Sequence, residues 1–196
     1  MAPRYVHLAI ILSTLPALFC TAATSPSVPG NDNEFIRTSC GVTRYPELCY
    51  STLSPYAADV GNSFPQLVNA ALRVTLDGAV STCSAVRSLA RAAPRRMKGS
   101  ELAAGAVSDC VGNMKDSVDQ LKDSMAAMKG LDHGPDFAME LGNMQTWVSA
   151  ALTDEDTCVD GLEGSAMNKK VRDEIRRRVV RVAQLTSNSL ALINRL

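Results

Sequence analysis

The chain has 196 residues, enough for one domain with a sizeable core. Its 20 basic and 20 acidic residues give a formal net charge of zero, which argues against a general binder of nucleic acid or other polyanions. The charges are unevenly distributed. Residues 109–163 carry twelve acidic side chains and three lysines, whereas residues 169–181 carry seven basic side chains and two acidic ones. We therefore expect one acidic and one basic side of the molecule.

The first 23 residues have the pattern of a secretory signal peptide. Arg4 supplies the positive start, an apolar stretch follows over residues 8–19, and small residues at the end suit cleavage. The stretch is too short for a comfortable membrane span, and no later segment is apolar enough to be one. We expect a secreted protein without membrane association, in which residues 24–31 form a flexible leader to a domain over residues 32–196.

Two short helical segments are predicted at the start of this domain, over residues 33–39 and 45–53. Pro46 lies near the start of the second segment, where the missing N–H group costs nothing. Both segments fall within residues 32–60, and their short connection predicts a helical hairpin.

Four longer segments follow, in which apolar residues recur every three or four positions. The first begins near Ser63, a suitable N-cap, and ends at the connection that contains Pro94 and Gly99. The second covers residues 100–130, because Gly130 is a good C-terminal stop.

The third long segment begins near Asp136 and weakens at Gly161 and Gly164. Glu155 is the one polar interruption in its apolar face. The fourth segment covers residues 168–194.

This element order predicts an all-α fold, since no segment has the alternation typical of a strand. Four amphipathic helices joined by short connections indicate an antiparallel up-and-down four-helix bundle over residues 63–194, preceded by the hairpin over residues 32–60. The methionines at helical spacing are interpreted as core residues.

The domain lacks the groups on which most enzymatic reactions depend. Its one histidine, His133, lies in a turn, and no Cys-x-x-Cys or His-x-x-x-His pair suggests a metal site. No nucleophile elbow, phosphate loop or dinucleotide fingerprint is present. We expect no enzymatic activity, no metal and no cofactor. A structural or lipid-carrying bundle is a further possibility, but the close apolar spacing gives no sign of an internal cavity.

Five cysteines follow the predicted signal peptide: Cys40, Cys49, Cys83, Cys110 and Cys158. An odd number in an oxidising compartment predicts two disulfides and one free thiol. The first two cysteines are close enough in sequence to close the hairpin, but spacing alone does not choose among the possible pairings.

Three motifs are specific enough to suggest a family. Residues 145–158 read QTWVSAALTDEDTC, residues 45–49 read YPELC, and residues 106–110 read AVSDC. They resemble, in that order, the signature, the hairpin and the third-cysteine motif of the plant invertase and pectin methylesterase inhibitor family. The resemblance covers residues 32–196.

The resemblance implies a disulfide-stapled four-helix bundle with an N-terminal hairpin, in agreement with the periodicity. It also implies the bridges Cys40–Cys49 and Cys110–Cys158, which leave Cys83 as the free thiol. Cys83 follows the inward-facing Thr82, so we expect it to be buried and inert, although an intermolecular bridge stays open.

The function implied by the resemblance is that of a secreted inhibitor in the apoplast. Such a protein blocks the pectin-binding cleft of a pectin methylesterase by forming a 1:1 non-covalent complex. The alternative is an inhibitor of cell-wall or vacuolar acid invertase, because the family contains both groups. Invertase inhibitors often contain a Pro-Lys-Phe motif, and residues 94–96 and 135–137 are only partial matches to it. We therefore favour pectin methylesterase.

The partner-binding residues implied by the resemblance lie on the second and third long helices. They are Asp116 and Asp119 on the second helix and Thr157 and Asp160 on the third. Asp116 and Asp119 are three residues apart and therefore share a helix face.

Two positions depart from the family pattern. Gly112 stands where an acid is frequent, and Met114 stands where an aromatic residue is frequent. The lone Trp147 is expected to be packed or half-buried rather than a binding anchor. The arginines at positions 176–178 are expected to form ion pairs with neighbouring acids rather than to contact acidic pectin.

Overall fold

The computed structural model describes residues 29–92, 100–131 and 134–196, and within these ranges every regular element is helical. The predicted signal peptide, most of the predicted leader, the connection over residues 93–99 and His133 lie outside the described residues. Among the described residues, no helix combines the length and the apolar character that crossing a membrane requires.

The N-terminal hairpin consists of helices α1 (Pro29–Cys40) and α2 (Pro46–Leu53). Helix α1 begins four residues before the predicted position, because the fixed φ of Pro29 suits a first turn and an acidic side chain follows near the positive helix end. A short 3₁₀ turn and the four-residue helix α3 (Ala57–Val60) lead from α2 towards the bundle.

Four long helices form the body of the protein: α4 (Phe64–Ala92), α5 (Ser100–Gly130), α6 (Phe137–Leu162) and α7 (Lys169–Ile193). Each packs against two others in a ring, so that α4 and α6 both contact α5 and α7. This arrangement confirms the predicted four-helix bundle.

The helix boundaries follow local chemistry at several ends. The backbone N–H of Gln66 points at the Ser63 hydroxyl, which caps α4 as predicted, with an N···O distance of 3.4 Å. The Asn168 side chain accepts a hydrogen bond of 2.9 Å from the N–H of Lys170 and caps α7. Gly164 has a φ of +75°, a conformation that glycine adopts without strain, in the connection between α6 and α7.

The core is built from the apolar stripes that the sequence pattern predicts. Two fully buried large side chains from each long helix illustrate it: Leu67 and Leu72, Met114 and Leu121, Met144 and Leu162, and Ile175 and Leu192. Truncating such a side chain to alanine typically costs about 2–5 kcal/mol. Met114, at the position where the resemblance leads one to expect an aromatic residue, is thus part of the bundle core.

The hairpin is attached to the bundle by a pair of hydrogen bonds to one amide side chain. The Asn188 Oδ1 atom in α7 accepts from the backbone N–H of Tyr45 at 3.0 Å, and its Nδ2 donates to the backbone oxygen of Tyr45 at 2.9 Å. Ile36 of α1 is fully buried beneath the hairpin. The turn before α2 is therefore held to the C-terminal helix by two hydrogen bonds.

Two disulfides cross-link the helices, in the pairs that the resemblance implies. Cys40 joins Cys49 within the hairpin, and Cys110 joins Cys158 between α5 and α6, with Cα–Cα distances of 5.6 and 4.3 Å. Cys83 forms neither bridge and is buried in α4. By the loop-entropy argument the two bridges stabilise the fold by about 3 and about 4 kcal/mol, respectively.

Candidate functional site

The outer surface of α5 and α6 carries two rows of polar side chains, residues 109, 116 and 123 on α5 and residues 146, 153 and 160 on α6, with Asp119 and Thr157 beside them. Residues spaced by seven lie almost in line along a helix, because seven residues make nearly two full turns. The α5 row contains carboxylates and the α6 row contains mainly hydroxyls. We call this surface the α5–α6 face; its members are Asp109, Asp116, Asp119, Asp123, Thr146, Thr153, Thr157 and Asp160.

All four partner-binding residues predicted from the sequence lie on the α5–α6 face. Asp116, Thr157 and Asp160 are exposed, and Asp119 is partly exposed. Thr157 and Asp160 flank the bridged Cys158, whereas Asp116 lies six residues beyond the other bridged cysteine, or about 9 Å along the helix axis. The disulfide therefore fixes the two helices close to the residues that form the face.

Asp119 and Asp116 differ in how far their charge is compensated. The Asp119 carboxylate forms ion pairs with Lys122 at 2.9 Å and with Lys115 at 3.5 Å. The hydrogen bond and charge of Lys122, aided by Lys115, lower the pKa of Asp119. Asp116 forms no ion pair with any described residue. It therefore contributes an uncompensated negative charge to the face.

A partly buried acid lies in the seam between the two helices, and the sequence argument missed it. Burial, and secondarily the charge of Asp116, raise the pKa of Asp154, while a hydrogen bond with Gln120 opposes this shift. The available signal was spacing. Asp154 precedes Cys158 by one helical turn, which directs both side chains to the edge that meets α5.

The threonines of the α6 row direct their hydroxyl protons into their own helix. The hydroxyl of Thr157 donates to the Thr153 carbonyl at 2.7 Å, and that of Thr153 donates to the Ser149 carbonyl at 3.0 Å. The hydroxyl of Thr146 likewise donates to the Gly142 carbonyl at 2.9 Å. The outward side of each hydroxyl is then an acceptor. Together with the carboxylates, these oxygens make the α5–α6 face rich in acceptors, which suits a partner rich in Lys and Arg donors.

Behind this face, Glu155 is fully buried in the bundle core. Its Oε1 atom accepts hydrogen bonds from Ser117 of α5 at 2.7 Å and from Thr186 of α7 at 3.0 Å. Burial raises the pKa of Glu155 to about 8, against the opposing effect of the two hydroxyls. The carboxyl group is therefore neutral at acidic pH and links three helices. It has no route to a substrate.

Trp147 lies at the far end of the α5–α6 face and is partly buried, as predicted. It lines a cleft of about 760 Å³ together with Asp123, Phe137 and Glu140. Among the described residues, no group of histidine, cysteine or acidic side chains is arranged to hold a metal ion.

Comparison with known proteins gives a consistent result. The family described as "Plant invertase/pectin methylesterase inhibitor" matches residues 34–192. The chain is 38% identical over 187 residues to a "21 kDa protein" of Daucus carota, and the match covers 94% of this chain and 92% of that protein. It is 41% identical over 189 residues to "Pectinesterase inhibitor 9" of Arabidopsis thaliana, covering 94% of this chain and 90% of the relative.

The fold has a counterpart among solved structures. The crystal structure of a mutant form of a pectin methylesterase inhibitor from Arabidopsis matches with a TM-score of 0.64 and 19% identity. The match covers 82% of this chain and 96% of the other. At this level of identity the comparison supports the bundle architecture alone.

Proposed function

Because the chain belongs to the plant invertase/pectin methylesterase inhibitor family, whose members are inhibitor proteins rather than enzymes, we propose that it inhibits a pectin methylesterase. It acts outside the cell, in the plant cell wall, as one partner of a 1:1 non-covalent complex. The α5–α6 face is the surface that contacts the enzyme, through Asp116, Asp119, Thr157 and Asp160.

The observation that carries this proposal is the acceptor-rich surface on two cross-linked helices. Side chains on helices are held more precisely than side chains on loops, and the bridge between Cys110 and Cys158 keeps the two rows in register. Negative charge on Asp116 and Asp160 steers a basic enzyme surface towards this face and sets its orientation.

Inhibition requires only that the face cover the cleft in which the enzyme binds pectin. A standard protein interface buries about 1,600 Å² in total, which is ample to exclude a polymer chain from an open cleft. No covalent step is needed, and the inhibitor requires no catalytic group.

Acid invertase is the alternative target, because the family includes inhibitors of both enzymes. Relatives such as "Pectinesterase inhibitor 9" carry names that favour the pectin methylesterase. The absence of a Pro-Lys-Phe motif from the sequence argues in the same direction. Cell-wall and vacuolar invertases therefore serve as the comparison in the test.

The test is a pair of titrations with the purified protein. Release of methanol from pectin by pectin methylesterases, and cleavage of sucrose by acid invertases, are measured at increasing inhibitor concentration. We expect loss of methanol release with an end point at one inhibitor per enzyme, and no loss of sucrose cleavage. Full activity across a panel of pectin methylesterases, with no complex in size-exclusion chromatography, would refute the proposal.

The face itself is tested by charge reversal. Asp116→Lys combined with Asp119→Lys should weaken inhibition at least about ten-fold, since it replaces attraction by repulsion at the centre of the α5 row. Asp59→Lys combined with Asp77→Lys makes the same change in net charge at exposed sites on α3 and α4. Equal losses in both double variants, each with unchanged helix content by circular dichroism, would show that net charge alone matters and that the face is wrongly assigned.

A further inference from the structure

The first half of α7 carries a concentration of positive charge that the proposed inhibition does not use. Residues 169–181 include seven basic side chains, most of them exposed. We call this surface the α7 basic face; its members are Lys169, Lys170, Arg172, Arg176, Arg177, Arg178 and Arg181.

In the part of the chain that the structure describes, three acids form ion pairs with this surface and neutralise it only in part. Asp173 lies 3.9 Å from both Lys169 and Arg172, and Glu174 pairs with both Arg177 and Arg178. The two arginines lower the pKa of Glu174, which stays ionised. Each of these carboxylates is therefore shared between two cations.

The third acid is Glu163, which lies 3.8 Å from Arg176. Lys170 and Arg181 form no ion pair with any described residue. Seven cations facing three carboxylates leave a surplus of four positive charges on this part of the surface.

The surplus positive charge is spread along a line rather than concentrated at a point. Lys170 and Arg181, which form no ion pair with a described residue, and Arg177, which shares Glu174 with Arg178, are separated by seven and four residues. They therefore lie along one outward side of α7 over about 16 Å. This side is opposite to the positions that are buried against the bundle, such as Ile175 and Val179. A linear array of cations fits an extended polyanion better than it fits a small anion.

We propose that the α7 basic face binds de-esterified pectin, the polygalacturonate that remains when methyl esters have been removed. The inference rests on the proposed function for the choice of polymer. Every ester that the target enzyme hydrolyses leaves a carboxylate on a linear chain, so the product of the enzyme supplies the regular negative charge that this surface complements. The fully esterified polymer carries no such charge and should not bind.

The consequence is local retention of the inhibitor. A protein that holds polygalacturonate through α7 and the enzyme through α5 and α6 accumulates where de-esterification has already taken place. Inhibition then increases with the amount of product. We expect enzyme and polymer to bind at the same time, since the proposed contact residues of the enzyme lie on α5 and α6 and the α7 basic face lies on the outward side of α7.

The experiment measures binding of the purified protein to immobilised polygalacturonate and to the fully methyl-esterified polymer. The salt concentration is about 50 mM NaCl, low enough that exposed charges still attract one another over about 10 Å. Arg177→Gln combined with Arg181→Gln should weaken binding to polygalacturonate roughly five-fold or more, as expected for two lost exposed charge contacts. The matched control is Arg87→Gln combined with Arg91→Gln, which removes two exposed arginines with the same spacing from α4.

Three results would overturn the inference: equal weakening in the two double variants, equal binding to the esterified polymer, or tighter binding to dextran sulfate or DNA than to polygalacturonate. Selective weakening of the α7 variant, together with preference for polygalacturonate, would support it. Complex formation between the α7 variant and pectin methylesterase is measured separately by calorimetry without any polymer. That measurement should be unchanged, and its failure in every form of the protein would count against the proposed function instead.

Discussion

Replacement of the buried Glu155 by glutamine should reshape the dependence of stability on pH. The pKa of Glu155 is raised from an ordinary value of 4.5 to about 8 in the folded protein, chiefly by burial. Below pH 4.5 the carboxyl group is protonated in both states and contributes no pH dependence. Between pH 4.5 and about 8 the unfolded chain loses the proton and the folded protein keeps it, so stability falls as the pH rises.

The magnitude follows from proton linkage. One proton retained only by the folded state lowers the free energy of unfolding by about 1.4 kcal/mol per pH unit. Over the whole interval the loss approaches about 5 kcal/mol, a large part of the 5–15 kcal/mol that stabilises a typical domain. Between pH 5 and pH 7 the melting temperature of the wild-type protein should fall by roughly 5–10 °C from this group alone.

Glu155→Gln keeps the acceptor oxygen that faces Ser117 and Thr186 but cannot ionise. Its amide N–H groups occupy the site of Oε2, which has no hydrogen-bond partner among the described residues. This mismatch should cost about 1–3 kcal/mol at low pH. The two stability curves should therefore cross between about pH 5 and pH 7, with the variant more stable above the crossing.

The assay is chemical denaturation of both proteins at several pH values between 5 and 8. The difference between them at each pH isolates the contribution of Glu155, because the other acids with a shifted pKa, Asp119, Asp154 and Glu174, are common to both. Parallel stability curves for the wild-type protein and the variant would refute the reasoning, since they would mean that Glu155 titrates alike in the folded and unfolded states.

Two further predictions concern the contacts that hold the helices together. Asn188→Ala removes both hydrogen bonds to Tyr45 and should lower the free energy of unfolding by about 2–3 kcal/mol and speed amide exchange in the hairpin, whereas Asn62→Ala at an exposed position should change little. Replacing Cys110 and Cys158 together by alanine should cost about 4 kcal/mol, more than the roughly 3 kcal/mol expected for Cys40 and Cys49, in denaturant titrations without reductant. A larger loss from the hairpin pair would contradict the loop-entropy argument.

The bundle could be predicted from the sequence because a buried helix face imposes a spacing of three or four residues on the apolar side chains. The buried positions Val148, Ala151 and Leu162 follow this rule in α6, and Val179 and Val182 follow it in α7. The same rule marks Glu155 as an interruption but cannot identify its partners, which come from two other helices.

Contacts between distant parts of the chain leave no trace in a local pattern. The hydrogen bonds of Asn188 reach Tyr45 across 143 positions, and only the folded arrangement brings the two residues together. In the candidate site, helical spacing places Asp116 and Asp119 on one side of α5. The spacing cannot predict that two lysines form ion pairs with Asp119 and none with Asp116, because these contacts depend on side-chain conformation.

The formal net charge of zero includes two oppositely charged surfaces, the acidic α5–α6 face and the α7 basic face. Exposed charges influence one another over about 8–10 Å at ordinary ionic strength, so a bound partner responds chiefly to the charges of the surface that it contacts. A partner at the α7 basic face therefore experiences a surplus of four cations rather than a neutral molecule, and a partner at the α5–α6 face experiences the acidic row. The exclusion of polyanion binding from the net charge holds only for the chain as a whole, since acids prevail on the α5–α6 face and bases prevail on the α7 basic face. Raising the ionic strength should therefore weaken the binding of both partners, and reversing the charge of one face should leave the other partner bound.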